Sequence, residues 1–416
     1  MIIIPFIYFI GVFVVFFIRN KTWGVDLAAT LLLISISFCA LMIDVNDIYG
    51  DYGINENNIS LPTLLLFCLQ WTIILLPLHY ISRLTLEEHP RIKTLLMYIV
   101  FIVVATSSFI MIVTSISDIQ AALIMDLADV RNNHYDDLNS GGANSEANYF
   151  LLIPQILIST PIPTLALFCW FYMKAFMNCP LFLRAGILIA SIVQAILAII
   201  MAGRAAIIFW IFDFFLIYSL FYKYLSKGTK RAINATFIIL IGFIGFLFIS
   251  ITFARFDGSD SHTDPFDSLY GYAGQHINNF CTMFEKGGSS PLLLDRIFPL
   301  YTKITTGMPY DMAGHYDAIN TQVTALVNVF DTFGGELYLD LGWFGYIFFL
   351  LFWILGTIYI KSSWFSIPFY RVFFVIVLIA FFNRALFAWP FTGHYSTLAL
   401  ILTLGFSYFF KYAFKI

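Results

Sequence analysis

The stretch Phe182–Tyr222, FLRAGILIASIVQAILAIIMAGRAAIIFWIFDFFLIYSLFY, decides the fold. Two apolar runs meet at Gly203-Arg204 with no loop between them. Each is about 20 residues long, enough to cross a hydrocarbon core of about 30 Å as a helix. Similar runs recur on both sides of it along the chain. They read as spans near 1–18, 24–43, 62–82, 94–115, 149–173, 182–202, 205–222, 233–253, 341–360, 368–383 and 395–410. This predicts an all-α polytopic integral membrane protein with about eleven transmembrane helices (range roughly 10–12), since a helix satisfies its own backbone hydrogen bonds in lipid.

Composition agrees. The 416 residues are 60% hydrophobic and 11% charged, where soluble domains carry about 25% charge. Tyr and Trp often fall at span ends, as interfacial belts require. No basic stripe exists, which excludes nucleic acid as a partner. No phosphate-binding Gly loop, zinc signature or nucleophile elbow is present. Of the five cysteines, Cys39, Cys68 and Cys169 lie in spans, Cys179 in an inner loop, and Cys281 alone outside, so no outer disulfide forms within the chain.

Sorting the 22 Lys and Arg by loop places seven on one side: Arg131, Arg204, Arg255, Lys286, Arg296, Lys303 and Arg384. The rest fill every loop of the other side, which is therefore read as cytoplasmic. The first charge, Arg19, follows the apolar run 1–18, the reverse of a cleavable leader, so the N-terminus is expected outside and the C-terminus inside. Topology does not require the seven outer cations, and a charge against apolar sequence is costly without a partner. An anionic ligand at the outer face would supply one.

Three regions follow: an eight-span bundle at 1–253 with an outer loop at 116–148, a large extracytoplasmic loop at 254–340, and a three-span segment at 341–416. The loop 116–148 carries Ile119, Leu123, Leu127 and Val130 at helical spacing, with Asp126, Asp129 and Arg131 among its polar positions. The large loop holds one amphipathic helix around Ile277, Phe280, Cys281 and Phe284. A second, with Val323, Leu326, Val327, Phe330 and Leu337 on one face, runs into the span at 341–360. Segments of this length are expected to fold over the membrane surface.

Several residues invite chemistry, each with a plainer reading beside it. Arg204, flanked by small residues, presents a fork suited to a phosphate; a snorkelling anchor is the alternative. Arg255 at a span end and Asn383-Arg384 between the last two spans read the same way. Asp213 lies inside a span about 13 Å below Arg204; a coupling site and a hydrogen bond to a neighbouring helix both suit it. Among the outer histidines, His276 and His315 are the better candidates for a general base acting on a hydroxyl. The aspartates at 257, 260, 264 and 267 lack the spacing of a calcium loop.

With these residues in view, the chain resembles the bacterial oligosaccharide repeat-unit polymerases, the Wzy family of O-antigen and capsule synthesis. The resemblance rests on Gly203-Arg204 opening a span, on Arg255 closing the next, and on Tyr272 followed by Asn278-Asn279-Phe280. Its most specific part is NVFDTFGGELYLDLGWFG over Asn328–Gly345, ahead of a late span.

The resemblance implies a glycosyltransferase of the bacterial inner membrane. It would transfer a chain from undecaprenyl diphosphate to the next lipid-linked repeat unit, with no metal and no cofactor. By analogy, Arg204, Arg255 and Arg384 bind diphosphate. Arg296, which precedes Gly307 by an Arg-x(10)-Gly spacing, joins them. The base is Asp331, His315 or His276, or no dedicated base exists. Tyr272, Asn328, Glu336 and Asp340, with Arg131, are candidates for binding the acceptor or its sugars. A chain-length regulator and a flippase are further candidate partners. A flippase for lipid-linked oligosaccharides and an O-antigen ligase are the competing readings; the ligase-like His is replaced here by Asp331.

Overall fold

The structure is a computed structural model. It describes all residues except 51–58, 87–89, 118–119, 121–148, 178, 201–204, 240–241, 243–264, 288–296, 308–331, 363–365, 368, 392–393 and 414–416. The chain is an all-α polytopic integral membrane protein. Its contacts divide it into two compact units, one of Met1–Glu87 with Phe266–Ile416 and one of Glu88–Pro265. The linear division into 1–253, 254–340 and 341–416 does not follow these units, because late helices pack on early ones.

The first unit starts with α1 (Ile3–Asn20), α2 (Val25–Val45) and α3 (Leu61–Arg83), which pack on one another. Ser60 caps α3 by accepting the Thr63 amide at 3.4 Å, and a proline in the first turn fits where no amide partner exists. After α3 comes the two-residue strand β1 (Thr85–Leu86).

The second unit contains α4 (Pro90–Thr114), α5 (Tyr149–Ile158), α6 (Ile162–Phe176), α7 (Leu181–Ile200) and α8 (Ala205–Phe221). Residues 227–239 are also helical. Helices α5 and α6 meet at a 59° bend, so the span expected at 149–173 is not one continuous helix. Pro161 stands at the break, where a helix cannot continue its hydrogen bonds. Polar groups in this unit are matched across helices. Thr164 Oγ1 donates to Asp213 at 2.8 Å, and Trp210 Nε1 donates to Ser191 Oγ at 3.1 Å.

The chain then returns to the first unit as α9 (Pro265–Lys286), α10 (Pro299–Thr306), α11 (Thr332–Ser362), β2 (Ser366–Ile367), α12 (Phe369–Ala385) and α13 (His394–Ala413). Strand β2 pairs parallel with β1. Helix α9 is the amphipathic helix expected in the large loop, and Ile277, Phe280, Cys281 and Phe284 are all buried. Gly274 lets it press on α2: an added Cβ would stand 2.4 Å from the Ala40 backbone nitrogen. Helix α11 bends at Gly342, whose φ of 64° and ψ of −167° are open to glycine. A short segment before this residue thus turns into a long apolar one after it.

Among the described residues, seven helices are long and apolar enough to cross a membrane, or eight with the bent pair. This is fewer than the eleven expected. The expected span at 233–253 falls largely outside the described residues. The last two expected spans form α12, which has only 17 residues, and α13, which carries Ser396, Thr397, Thr403 and Ser407.

Candidate functional site

The short first segment of α11 holds the sequence tract singled out above. Thr332 adopts a left-handed φ of 57°, and its Oγ1 accepts the Gly335 amide at 3.4 Å. The two glycines that follow let the helix press against its neighbours. A Cβ on Gly334 would lie 2.2 Å from Gln70 Oε1 of α3, and one on Gly335 would lie 2.2 Å from Met283 Sδ of α9. Behind this contact, Tyr346 donates to Gln70 Oε1 at 3.0 Å, tying the long segment of α11 to α3.

This segment is stitched to the end of α12. The Arg384 carbonyl accepts the amides of Phe387 at 2.9 Å and Ala388 at 3.0 Å, so the chain folds back on itself. Thr332 N donates to Phe387 O at 3.2 Å, and Trp389 N donates to Glu336 Oε2 at 2.5 Å. From α9, the His276 ring meets Phe387 edge-on at 4.6 Å. The turn Arg384–Trp389 thereby gathers His276, Glu336 and Arg384. His276 and Glu336 are buried, and Arg384 is only 9% exposed. A guanidinium stays charged wherever it is placed, so Arg384 brings a fixed positive charge to the same turn as the buried Glu336 carboxylate.

Asp340 lies one helical turn beyond Glu336 and is also buried. Its Oδ2 accepts the Ile297 amide at 2.8 Å. Both carboxylates thus bind backbone amides, which holds connecting segments against α11. Tyr272 is half-buried on α9, one turn before His276. The remaining expected site residues, Arg131, Arg204, Arg255, Arg296, His315, Asn328 and Asp331, lie outside the described residues. Asn383-Arg384 was expected between the last two spans. It forms the last turn of α12 instead, because the helix continues to Ala385 before the chain turns.

An apolar groove of about 650 Å³ adjoins this site through Trp389 and Ile297, whose amides Glu336 and Asp340 accept, while His276, Glu336 and Arg384 are not among its lining. Ile297, Leu337 and Trp389 line the end beside the carboxylates, and Gly356, Thr357 and Ile360 line the far end. The helical path from Leu341 to Ile360 is about 28 Å. Phe344, Phe348 and Phe352 border the groove at four-residue spacing along α11 and are exposed, as residues facing lipid are.

The sequence reading missed a second polar cluster. Asp26 at the start of α2 and His79 near the end of α3 are both buried and lie 2.8 Å apart. Asp26 also accepts Ser82 Oγ at 2.7 Å. The signal was an ionisable residue within each of two apolar runs.

No family model, no curated protein and no solved structure matches the chain.

Proposed function

We propose that the protein is a membrane glycosyltransferase that polymerises undecaprenyl-diphosphate-linked oligosaccharide repeat units into O-antigen or capsular polysaccharide at the outer face of the bacterial cytoplasmic membrane. The supporting observation is that the turn Arg384–Trp389 holds Arg384 and contacts buried His276 and Glu336, and that its Trp389 lines a long apolar groove. A polyprenyl diphosphate has matching parts, an apolar tail for the groove and an anionic head for the guanidinium. The kinked tract at Gly342 in the most specific part of the family resemblance supports the same reading, because the kink joins the polar site to the groove-lining helix.

In this reaction the non-reducing-end hydroxyl of the acceptor attacks the anomeric carbon of the donor. A new glycosidic C–O bond forms, and the bond to the diphosphate breaks with its electron pair leaving on the diphosphate. The hydroxyl proton passes to a base, for which His276 is the described candidate. A diphosphate leaves without a strong general acid, so positive charge beside it contributes most of the stabilisation. Arg384 fills that role.

The test is a gel of surface polysaccharide from a strain lacking the gene, beside the complemented strain. Collapse of the ladder to a single capped repeat unit is the expected result. Loss of all polymer with lipid-linked units trapped inside identifies a flippase. Finished polymer stranded on its lipid identifies a ligase. An unchanged ladder overturns the assignment.

A further inference from the structure

A separate cavity lies within the Glu88–Pro265 unit. It measures about 440 Å³, within the range of roughly 300–1,000 Å³ typical of small-molecule sites. Its walls come from α6, α7, α8 and the helix at 227–239. Trp170, Trp210 and Phe214 line it, and Phe237, also in the lining, stacks on Phe214 at 5.4 Å. Lys174, Gly228 and Thr229 border the same space.

The charge around this cavity is one-sided. Lys174 is the single cation of its lining, with its Nζ 5.7 Å from the Trp170 ring centre. Lys227, Lys230 and Arg231 flank the lining residues Gly228 and Thr229, and Lys230 Nζ lies 4.0 Å over the Tyr222 ring. Arg184 stands one helical turn before the lining residue Leu188, and its Nε is enclosed with no hydrogen-bond partner among the described residues. No acidic residue occurs between Asp213 and Asp257. The lining is thus mostly apolar, with Lys174 in it and the further cations next to its residues in sequence. Lysines resting over aromatic rings place their stems along apolar surface and their charges at its edge.

We propose that this cavity holds an acyl chain of an anionic phospholipid whose phosphate is met by Lys174 and the cations of residues 227–231. The groove beside Glu336 takes no part in this. An annular lipid needs only apolar surface. Here a half-open recess between helices and an excess of positive charge occur together, and basic pockets between transmembrane helices recognise anionic headgroups. A zwitterionic lipid places a compensating cation among these lysines and gains little from them.

The full chain is reconstituted in phosphatidylcholine nanodiscs containing a small fraction of either dibrominated phosphatidylglycerol or dibrominated phosphatidylcholine. Bromine quenches tryptophan fluorescence on contact, and Trp170 and Trp210 both line the cavity. Brominated phosphatidylglycerol is expected to quench more than brominated phosphatidylcholine at the same content. The double variant Lys174→Gln/Lys230→Gln raises the phosphatidylglycerol content needed for half-quenching by roughly five-fold per lysine. Lys230→Arg, which keeps the charge, leaves it unchanged. Trp170→Phe with Trp210→Phe removes the excess quenching and reports on the cavity without altering the cations. Equal quenching by the two lipids, an excess that survives the lysine or tryptophan variants, or its displacement by millimolar inorganic phosphate overturns the proposal.

Discussion

Asp26 Oδ2 lies 2.8 Å from His79 Nδ1, joining two residues 53 positions apart. The same carboxylate accepts Ser82 Oγ at 2.7 Å and Asn20 Nδ2 at 2.5 Å. Phe16 stacks on the His79 ring at 4.3 Å, and Arg83 Nε donates to Asn20 Oδ1 at 2.9 Å. One buried carboxylate therefore ties the end of α1 and the start of α2 to the end of α3. Buried polar groups are tolerated where they are hydrogen-bonded, and this carboxylate meets that condition with partners from two other helices, α1 and α3.

Replacing Asp26 with Ala removes the shared acceptor and leaves the buried His79 Nδ1 and the half-buried Ser82 and Asn20 donors without it. Each such donor costs about 1–3 kcal/mol, so Asp26→Ala is expected to lower stability by on the order of 3 kcal/mol. Ser82→Ala removes one donor and should cost about 1 kcal/mol. Thermal unfolding of the purified variants in one detergent checks the order. Equal effects would show that the carboxylate is not the centre of the cluster.

Gly342 tests the kink. Its positive φ with extended ψ lies in a region that side chains avoid, at a cost of about 1–3 kcal/mol. Gly342→Ala should therefore lower the unfolding temperature and reduce the amount of folded protein in membranes. Gly356→Ala is the control, because it lies in the same helix with nothing within 4 Å of the added Cβ. A Gly342→Ala protein as stable as this control would mean that the kink is not required.

The fold class was legible because each buried helix writes its own apolar run into the sequence. The span count was less so. A run reports hydrophobicity and not continuity, so the bend between Ile158 and Ile162 read as one span. The tract Thr332–Gly345 was legible as a unit because its glycines and acids are closely spaced. The bond from Trp389 to Glu336 spans 53 residues and leaves no local pattern, so Glu336 could be named but not given its partner. Asp26 and His79 were missed for the same reason: each is a single polar residue in an apolar run, and the pairing exists only in three dimensions.

Cys281 gives a chemical test of how α9 is covered. Burial pushes its thiol from an ordinary 9.0 up to about 12. The folded protein thus keeps the neutral thiol, and this contribution to stability is present below pH 9 and lost as pH rises towards 12. Maleimide reacts with the thiolate, so Cys281 should stay unlabelled in folded protein at pH 7–9 and react after unfolding in dodecyl sulfate. Mass spectrometry of the labelled chain locates the modified cysteines. Rapid labelling of Cys281 in folded protein would show that α9 does not pack as described.

Glu336 and Arg384 sit at the same turn and are expected to fail in different ways. Glu336 Oε2 accepts the Trp389 amide, and a glutamine oxygen can do the same. Glu336→Gln should therefore keep protein level and unfolding temperature, while Glu336→Ala leaves a buried amide unmet and loses about 1–3 kcal/mol. Arg384→Lys keeps the charge but not the planar fork that grips a diphosphate. Its protein level should hold while the polysaccharide ladder shortens, and Arg384→Ala should abolish the ladder. Protein level by immunoblot and chain length by gel separate the two roles. A full ladder in Arg384→Ala would remove Arg384 from the reaction. A lost ladder in a stable Glu336→Gln protein would mean that the Glu336 charge acts on substrate as well as holding the turn.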